Sequence, residues 1–388
     1  MMHLIKYIWR NVMRNKLRSL LTISSVAFSL ALMTVLFGYL SLQTVVEREA
    51  QKYDRVVVLN KMGFAAPVPI AHVDKIKKME GVVTATPYSW FGGKYENQPF
   101  LFAQFGVDPA ALFEVHSEYE IPEDQLSDFK SKKNACVADS QLAEQMEWKI
   151  GDRIPLEGSF TTVDLDLELV GIYKAPQNTG SVLFNWYYLD DLLQQAVPAM
   201  SGNAGSVQVK CKVGNEVTVV CEEIDDKFSN SENSTLTRTE AAFSKMFADM
   251  LGDVQSFIRY ISLAVVFALS LVTATSMAMS MRERTTEVSV LKAIGFSKQR
   301  VLSMVLGEST LIAILGGIIG IGAGLGLLDL LSGAPSLAQF FPFPVSQLVG
   351  TWLLGLVGVA AGIGLISGIV PAYRAANISV IDGLRQVV

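Results

Sequence analysis

Residues 281–301 read MRERTTEVSVLKAIGFSKQRV, a charged, helix-patterned stretch held between two long apolar runs. On its N-terminal side, 260–281 carries no charge; on its C-terminal side, 302–331 carries only Glu308 and Asp329. A short polar segment clamped in this way reads as a loop at a membrane surface.

Outward from that stretch, a helix needs ~20 mostly apolar residues to cross ~30 Å of hydrocarbon. Four regions supply them: 19–46, the second part of 241–281, 302–331 and 347–370. The 388 residues are 50% hydrophobic, and the mean hydropathy of +0.35 exceeds that of an ordinary soluble domain. Between the first two runs, 47–240 has a soluble composition. The net charge of −5 averages basic membrane flanks with an acidic middle, and no basic patch points to nucleic acid.

Lys6, Arg10, Arg14, Lys16 and Arg18 precede the first run, and Arg282, Arg284, Lys292, Lys298 and Arg300 fill the central stretch. Arg374 and Arg385 follow the fourth run, whereas 332–346 has no Lys or Arg. The Lys/Arg bias of short flanks sets orientation. The N-terminus, 282–301 and the tail 371–388 are therefore expected in the cytoplasm, with 47–240 and the short loop 332–346 outside. The expected fold class is an α-helical membrane protein with four transmembrane helices. A large extracytoplasmic α+β domain of two lobes is inserted between the first and second.

In chain order, 1–18 places Leu4, Ile5, Ile8, Trp9, Val12 and Met13 on one helical face with basic residues opposite, the pattern of a cytoplasmic amphipathic helix at the interface. A cleaved signal peptide would share the basic start, but its apolar core spans only ~7–15 residues and an A-x-A-type site follows it. Neither feature is present. In the outer region, 54–60 and 82–89 read as strands and 70–80 as a helix. A helix at 140–148 precedes the turn signal Gly151-Asp152. Val163, Leu165, Leu167 and Leu169 alternate with Asp164, Asp166 and Glu168, so 153–156 and 163–173 read as paired strands with one wet face. Residues 206–213, 217–228 and 234–237 repeat strand–helix–strand. The resulting lobes are a β-α-β unit from 54–105 and 205–240, and an outer lobe, 106–200, inserted in it. Pro87, Pro99, Pro109 and Pro122 make the join loop-rich.

Phe243, Phe247, Met250 and Val254 recur at three- or four-residue spacing and continue into the second run. One stalk helix running into the membrane over 241–281 is expected, with a helix packed on its own outer domain as the alternative the pattern leaves open. Gly316, Gly320 and Gly324 in the third run, and Gly358 and Gly362 in the fourth, put small residues at four-residue spacing, as Gly364 and Gly368 also do. Such spacing lets helices approach closely in lipid. Glu308, near the cytoplasmic end of its run, can snorkel to the interface.

No G-x-x-x-x-G-K-[ST], H-E-x-x-H or G-x-S-x-G motif occurs. The histidines, His3, His72 and His116, are scattered, which argues against a dedicated metal site. Cys211 and Cys221 flank an expected turn and could pair, leaving Cys136 over. The chain reads as a non-catalytic subunit without a cofactor of its own.

Residues 282–295 (RERTTEVSVLKAIG), the glycine-rich third run and 371–385 (PAYRAANISVIDGLR) resemble the FtsX-like permease module of the MacB type, found in four-helix membrane subunits of ABC transporters. The resemblance is strong over 255–388 and covers the first 250 residues by arrangement alone. Ser289 stands where family members often have Gly. The resemblance implies that 282–301 docks into a groove on a separate ATPase subunit, which binds the ATP and magnesium. Arg282, Glu283, Arg284, Glu287, Val288, Leu291, Lys292, Ala293, Ile294 and Gly295 would lie at that interface. As a helix, Val288, Leu291 and Ile294–Gly295 would make an apolar edge with a charged rim, which suits a partner groove. The resemblance further implies a homodimer in the plasma (inner) membrane, mechanotransmission to the outer domain and, in a Gram-negative cell, a periplasmic adaptor and outer-membrane channel. Efflux of a hydrophobic or amphipathic substrate is the leading expectation. Lipoprotein release and regulation of an extracytoplasmic cell-wall hydrolase are the alternatives; the large outer region counts against the second of these.

Overall fold

The computed structural model describes residues 16–64, 66–96, 98–99, 101–177, 179–213, 216–250, 254–332, 350 and 352–380. The amphipathic helix expected at 1–18 falls outside them except for 16–18, as do 333–346 of the short loop and 381–388 of the tail. The chain divides into two units, one from 1–41, 253–329 and 345–388, the other from 42–252 and 330–344.

Helix α1 (Lys16–Ala50) leads to the outer domain, where β1 (Arg55–Asn60), β2 (Val68–Pro69), α2 (Ile70–Ile76) and β3 (Val82–Trp90) come first. The paired short strands β4 (Lys94–Tyr95) and β5 (Gln98–Pro99) precede β6 (Ala103–Val107), α3 (Leu112–Val115) and α4 (Glu123–Ser131). Next are β7 (Ala135–Asp139), α5 (Ser140–Gln145), β8 (Arg153–Leu156), β9 (Leu165–Tyr173), β10 (Ser181–Asn185) and α6 (Trp186–Ala196). The domain closes with β11 (Asn203–Ala204), β12 (Ser206–Cys211), α7 (Val217–Phe228), β13 (Thr235–Thr239) and α8 (Glu240–Met250).

One nine-stranded sheet, ordered β13-β1-β12-β3-β6-β10-β7-β9-β8, runs through both lobes. At one end the strands pair antiparallel. There Val73 and Ile76 of α2 and Ile224 and Phe228 of α7, at helical spacing, close on Val56, Val58, Val207 and Val209. At the other end β6–β10 and β7–β9 are parallel pairs. Parallel strands are covered on both faces, here by one core around Phe91, Trp148 and Leu165 and another around Phe129, Tyr173 and Leu183. Strand β9 pairs antiparallel with β8, and Leu165, Leu167 and Leu169 point inward while Asp166 stays exposed. Asp139 and Asn185 cap α5 and α6 by accepting from the Gln141 and Tyr187 amides.

The stretch expected to be loop-rich also holds the join of the sheet. The strand expected at 82–89 is β3, where Pro87 lies opposite Val207, and Tyr88 and Trp90 pair with Val107 and Phe105 of β6. The Thr86 hydroxyl beside the proline accepts from the Asp108 amide. Proline disfavours a central strand because it donates no ladder bond, but one such position does not interrupt the pairing on either side.

The second unit holds α9 (Val254–Glu283), α10 (Thr285–Ala293), α11 (Lys298–Ser332) and α12 (Trp352–Asn377). Four described helices are long and apolar enough to cross a membrane: Ser19–Ser41 within α1, Ser256–Glu283 within α9, α11 and α12. The chain is an α-helical membrane protein with a large α+β domain between its first and second spans. A Cβ added at Gly316 or Gly324 would stand 2.9 or 2.8 Å from the Ile23 or Ala31 carbonyl oxygen. One at Gly320 would stand 2.9 Å from Ala27 Cα and closer still to its carbonyl oxygen. Helices α1 and α11 therefore touch backbone to backbone. Gly358 and Gly362 correct the expectation for the fourth span, since among the described residues nothing lies within 4 Å of a Cβ at either. The inward face of α12 is the one carrying Ala360, Gly364, Ser367 and Gly368. Gly364 and Gly368 make the close approach to Thr310 and Ser309.

The single stalk helix meets the described residues only in part. Helix α8 ends at Met250 and α9 begins at Val254, while 251–253 and the side chains of Phe247, Met250 and Val254 lie outside the described set. Phe243 is half-buried, its ring 5.7 Å from that of Phe64.

Candidate functional site

The charged stretch between the second and third spans folds as a short helix with defined ends. Arg284 (φ −107°, ψ 12°) separates α9 from α10. At the other end Gly295 has φ +102°. A left-handed residue just past a helix lets the next amides turn back on its last carbonyls, and here Gly295 N and Phe296 N donate to the Lys292 and Leu291 carbonyls. A side chain at 295 would have to adopt that conformation against its own Cβ.

Helix α10 presents its faces differently from the expectation. Val288 is only 7% exposed and packs with Met281, Val301, Val305, Ala372 and Ala375 of the neighbouring helices. It is a core residue, not part of a docking edge. Ser289 beside it is fully buried, its hydroxyl donating to the Thr285 carbonyl. Leu291 and Glu287 are half-buried and, with Met304 and Glu308, line a small pocket between α10 and α11. The outward apolar edge is Val290 and Ile294, 45% and 70% exposed and one turn apart; Ala293 and Gly295 beside Ile294 are exposed, as are Arg282 and Glu283 at the end of α9. Val290 was missed because Val288–Leu291 and Val290–Ile294 are both apolar at helical spacing. The sequence does not say which stripe faces inward.

Two basic residues expected at the partner interface bond within the chain. Arg284 Nη1 donates to both carboxylate oxygens of Glu308, at 3.1 and 3.0 Å. Glu308 is 8% exposed, so it is held by this ion pair and does not snorkel. Lys292 Nζ donates to the carbonyls of Ala376 at 2.9 Å and Ile378 at 2.5 Å.

In the outer domain a buried polar cluster joins residues far apart in the sequence. Arg55, the first residue of β1, donates from Nε and Nη2 to Glu240, the first residue of α8, at 2.7 and 3.0 Å, and from Nη1 to Glu118 at 2.5 Å. His116 lies between Glu118 and Gln208. Burial by itself would raise the Glu118 pKa, but the hydrogen bond with His116 and the charge of Arg55 outweigh it and hold the carboxyl down at about 2. The Arg55–Glu240 pair ties the strand that follows the first span to the helix that precedes the second. No local motif announces it, because its members are separated by 185 positions. Cys136, Cys211 and Cys221 are free and buried. Burial pushes the Cys211 thiol up to about 12 and that of Cys221 to about 11, which makes both poor nucleophiles.

Comparison with known proteins bears on the whole chain. The family described as MacB-like periplasmic core domain matches residues 19–227, and that described as FtsX-like permease C-terminal matches 259–380. An uncharacterized ABC transporter permease of Methanocaldococcus jannaschii is 26% identical, over 98% of this chain and 97% of its own length. The macrolide export ATP-binding/permease protein MacB of Neisseria gonorrhoeae is 25% identical over 97% of this chain. The chain spans 59% of that relative's length. Among solved structures, the periplasmic region of MacB from Actinobacillus actinomycetemcomitans aligns at a TM-score of 0.38 and 12% identity, over 50% of this chain and 93% of its own.

Proposed function

The chain belongs to the ABC transporter permeases built from a MacB-like periplasmic core domain and an FtsX-like permease module, and from that premise we propose that it delivers the work of a separate ATPase subunit to its extracytoplasmic domain. The N-terminus, α10 and the C-terminus face the cytoplasm in this reading, on the basis of the Lys/Arg bias. Helix α10 is the coupling segment and enters a groove of the ATPase with Val290 and Ile294 as its apolar anchor and Arg282 and Glu283 as its charged rim. In this reading ATP and magnesium are bound by that subunit. Two copies of the permease stand side by side, one for each ATPase subunit. Movement passes through the spans to the outer domain, where the Arg55–Glu240 pair holds together the two elements that leave and re-enter the membrane unit. The cargo is a hydrophobic or amphipathic molecule moved outward; the name of the gonococcal relative, a macrolide exporter, supports that class.

The observation that carries this reading is the exposed Val290–Ile294 edge on a helix otherwise built into its neighbours. Affinity-tagged chain recovered from native membranes should bring down an ATP-binding subunit, and Val290→Asp or Ile294→Asp should lose it while inserting normally. Both sites are exposed, so neither change disturbs the core. Retention of the ATPase by both variants would refute the docking assignment.

A further inference from the structure

Helix α10 is fastened at both ends to spans other than the one that leads into it. At its start, Arg284 donates to both oxygens of Glu308 in α11. In its last turn, Lys292 donates to the Ala376 and Ile378 carbonyls at the end of α12. The last carbonyls of a helix have no intrahelical amide to accept from, and a cation there is also favoured by the helix dipole. Between the two fastenings Val288 fills the space between α11 and α12. The connection from α9, in contrast, is broken at Arg284, whose backbone leaves the helical region.

We propose that Arg284 and Lys292 are positioning residues that lock the coupling helix onto the third and fourth spans, so that a push on α10 moves α11 and α12 directly. This rests on the coupling reading of α10. A push along a helix that is interrupted at 284 would bend the junction before it travelled up α9. The ion pair and the Lys292 bonds bypass that junction, because charge-assisted hydrogen bonds are roughly twice as strong as the neutral ones that Arg284 N and the Thr285 hydroxyl make to the Met281 carbonyl there. Both side chains are thereby turned toward this chain, and the ATPase contacts fall to Val290, Ile294 and Arg282.

Two measurements on the full-length permease in nanodiscs test this. Amide hydrogen exchange over 285–293, with no ATPase present, should be about tenfold faster in Lys292→Ala than in the native chain, the weight of one charged hydrogen bond. Lys292→Arg, which can still donate to both carbonyls, should exchange at nearly the native rate. In the complex with the ATP-binding subunit that the native chain brings down, Lys292→Ala should retain that subunit and its ATP hydrolysis. The ATP-dependent signal from a fluorophore on Val213→Cys of the outer domain should fall about tenfold and return with Lys292→Arg. Glu308→Gln, which removes the charge from the other fastening, should lower the same signal. Unchanged exchange in Lys292→Ala would overturn the lock. A full outer-domain signal despite fast exchange would overturn its role in transmission. Loss of the ATPase from Lys292→Ala with native exchange would show that Lys292 faces the partner, and would likewise overturn the proposal. If the native chain brings down no ATPase, the coupling reading itself fails and takes the transmission role with it, a result distinct from any change in exchange.

Discussion

Gly320→Ala should force α1 and α11 apart. The added methyl would stand 2.9 Å from Ala27 Cα and nearer still to its carbonyl oxygen, against roughly 3.5–4.0 Å for two carbons at their best separation. Both obstructing atoms belong to the backbone, so no side-chain rotation relieves the overlap. The helices must separate by about 1 Å or a turn must deform, and such overpacking costs about 1–3 kcal/mol. Gly322, on the same helix, has nothing among the described residues within 4 Å of its Cβ position. Alanine there should stabilise by about 0.5–1 kcal/mol, through helix propensity alone. The two changes add the same methyl to the same helix two residues apart. The propensity gain is common to both and cancels, so a difference between them of about 1–3 kcal/mol reports the packing and nothing else. Equilibrium unfolding of the purified full-length protein in mixed detergent, followed by tryptophan fluorescence, supplies the measurement. If Gly320→Ala unfolds at or above the midpoint of Gly322→Ala, α1 and α11 do not meet at Ala27 and the packing argument is wrong.

The Glu118 carboxyl, held down at about 2 from an ordinary 4.5, makes the outer domain acid-sensitive. A depressed carboxylate contributes stability that is fully present above its unfolded value and is lost as pH falls toward the folded one. Stability should therefore decline between about pH 4.5 and 2, and Glu118→Gln should flatten that decline in acid unfolding followed by circular dichroism; superimposable acid transitions would dismiss the Arg55–His116 account. Val213→Cys, at an exposed turn of the outer domain, should react with a membrane-impermeant maleimide in intact spheroplasts. The native thiols, buried and held largely protonated, should contribute little background. Labelling that requires lysis would reverse the orientation.

Strands were readable where one face is wet. Leu165, Leu167 and Leu169 alternate with acidic residues, and β9 lies where that alternation places it. Strands β7 (ACVAD) and β10 (SVLFN) are buried along their whole length, so they show no alternation, and five residues are too few to distinguish a covered strand from a loop. The Arg55–Glu118–Glu240 cluster was hidden for another reason. An ion pair between β1 and α8 depends on the sheet order, which brings β13, β1 and β12 side by side, and no window along the chain contains its members.

The four spans and the charged helix between two of them follow from the sequence by itself, because crossing lipid depends on the composition and length of one contiguous run. Where that helix ends is a structural finding: Gly295, counted on its apolar edge from the sequence, holds a positive φ just past its last turn. Only the tertiary structure decided which side of the helix is free. Val288–Leu291 and Val290–Ile294 are equally apolar, and the choice was made by α11 and α12, whose Val301, Val305 and Ala372 cover Val288 and whose Glu308 and final carbonyls capture Arg284 and Lys292. Burial is a property of what surrounds a residue, and for α10 those surroundings include a helix whose last turn lies some eighty positions further along the chain.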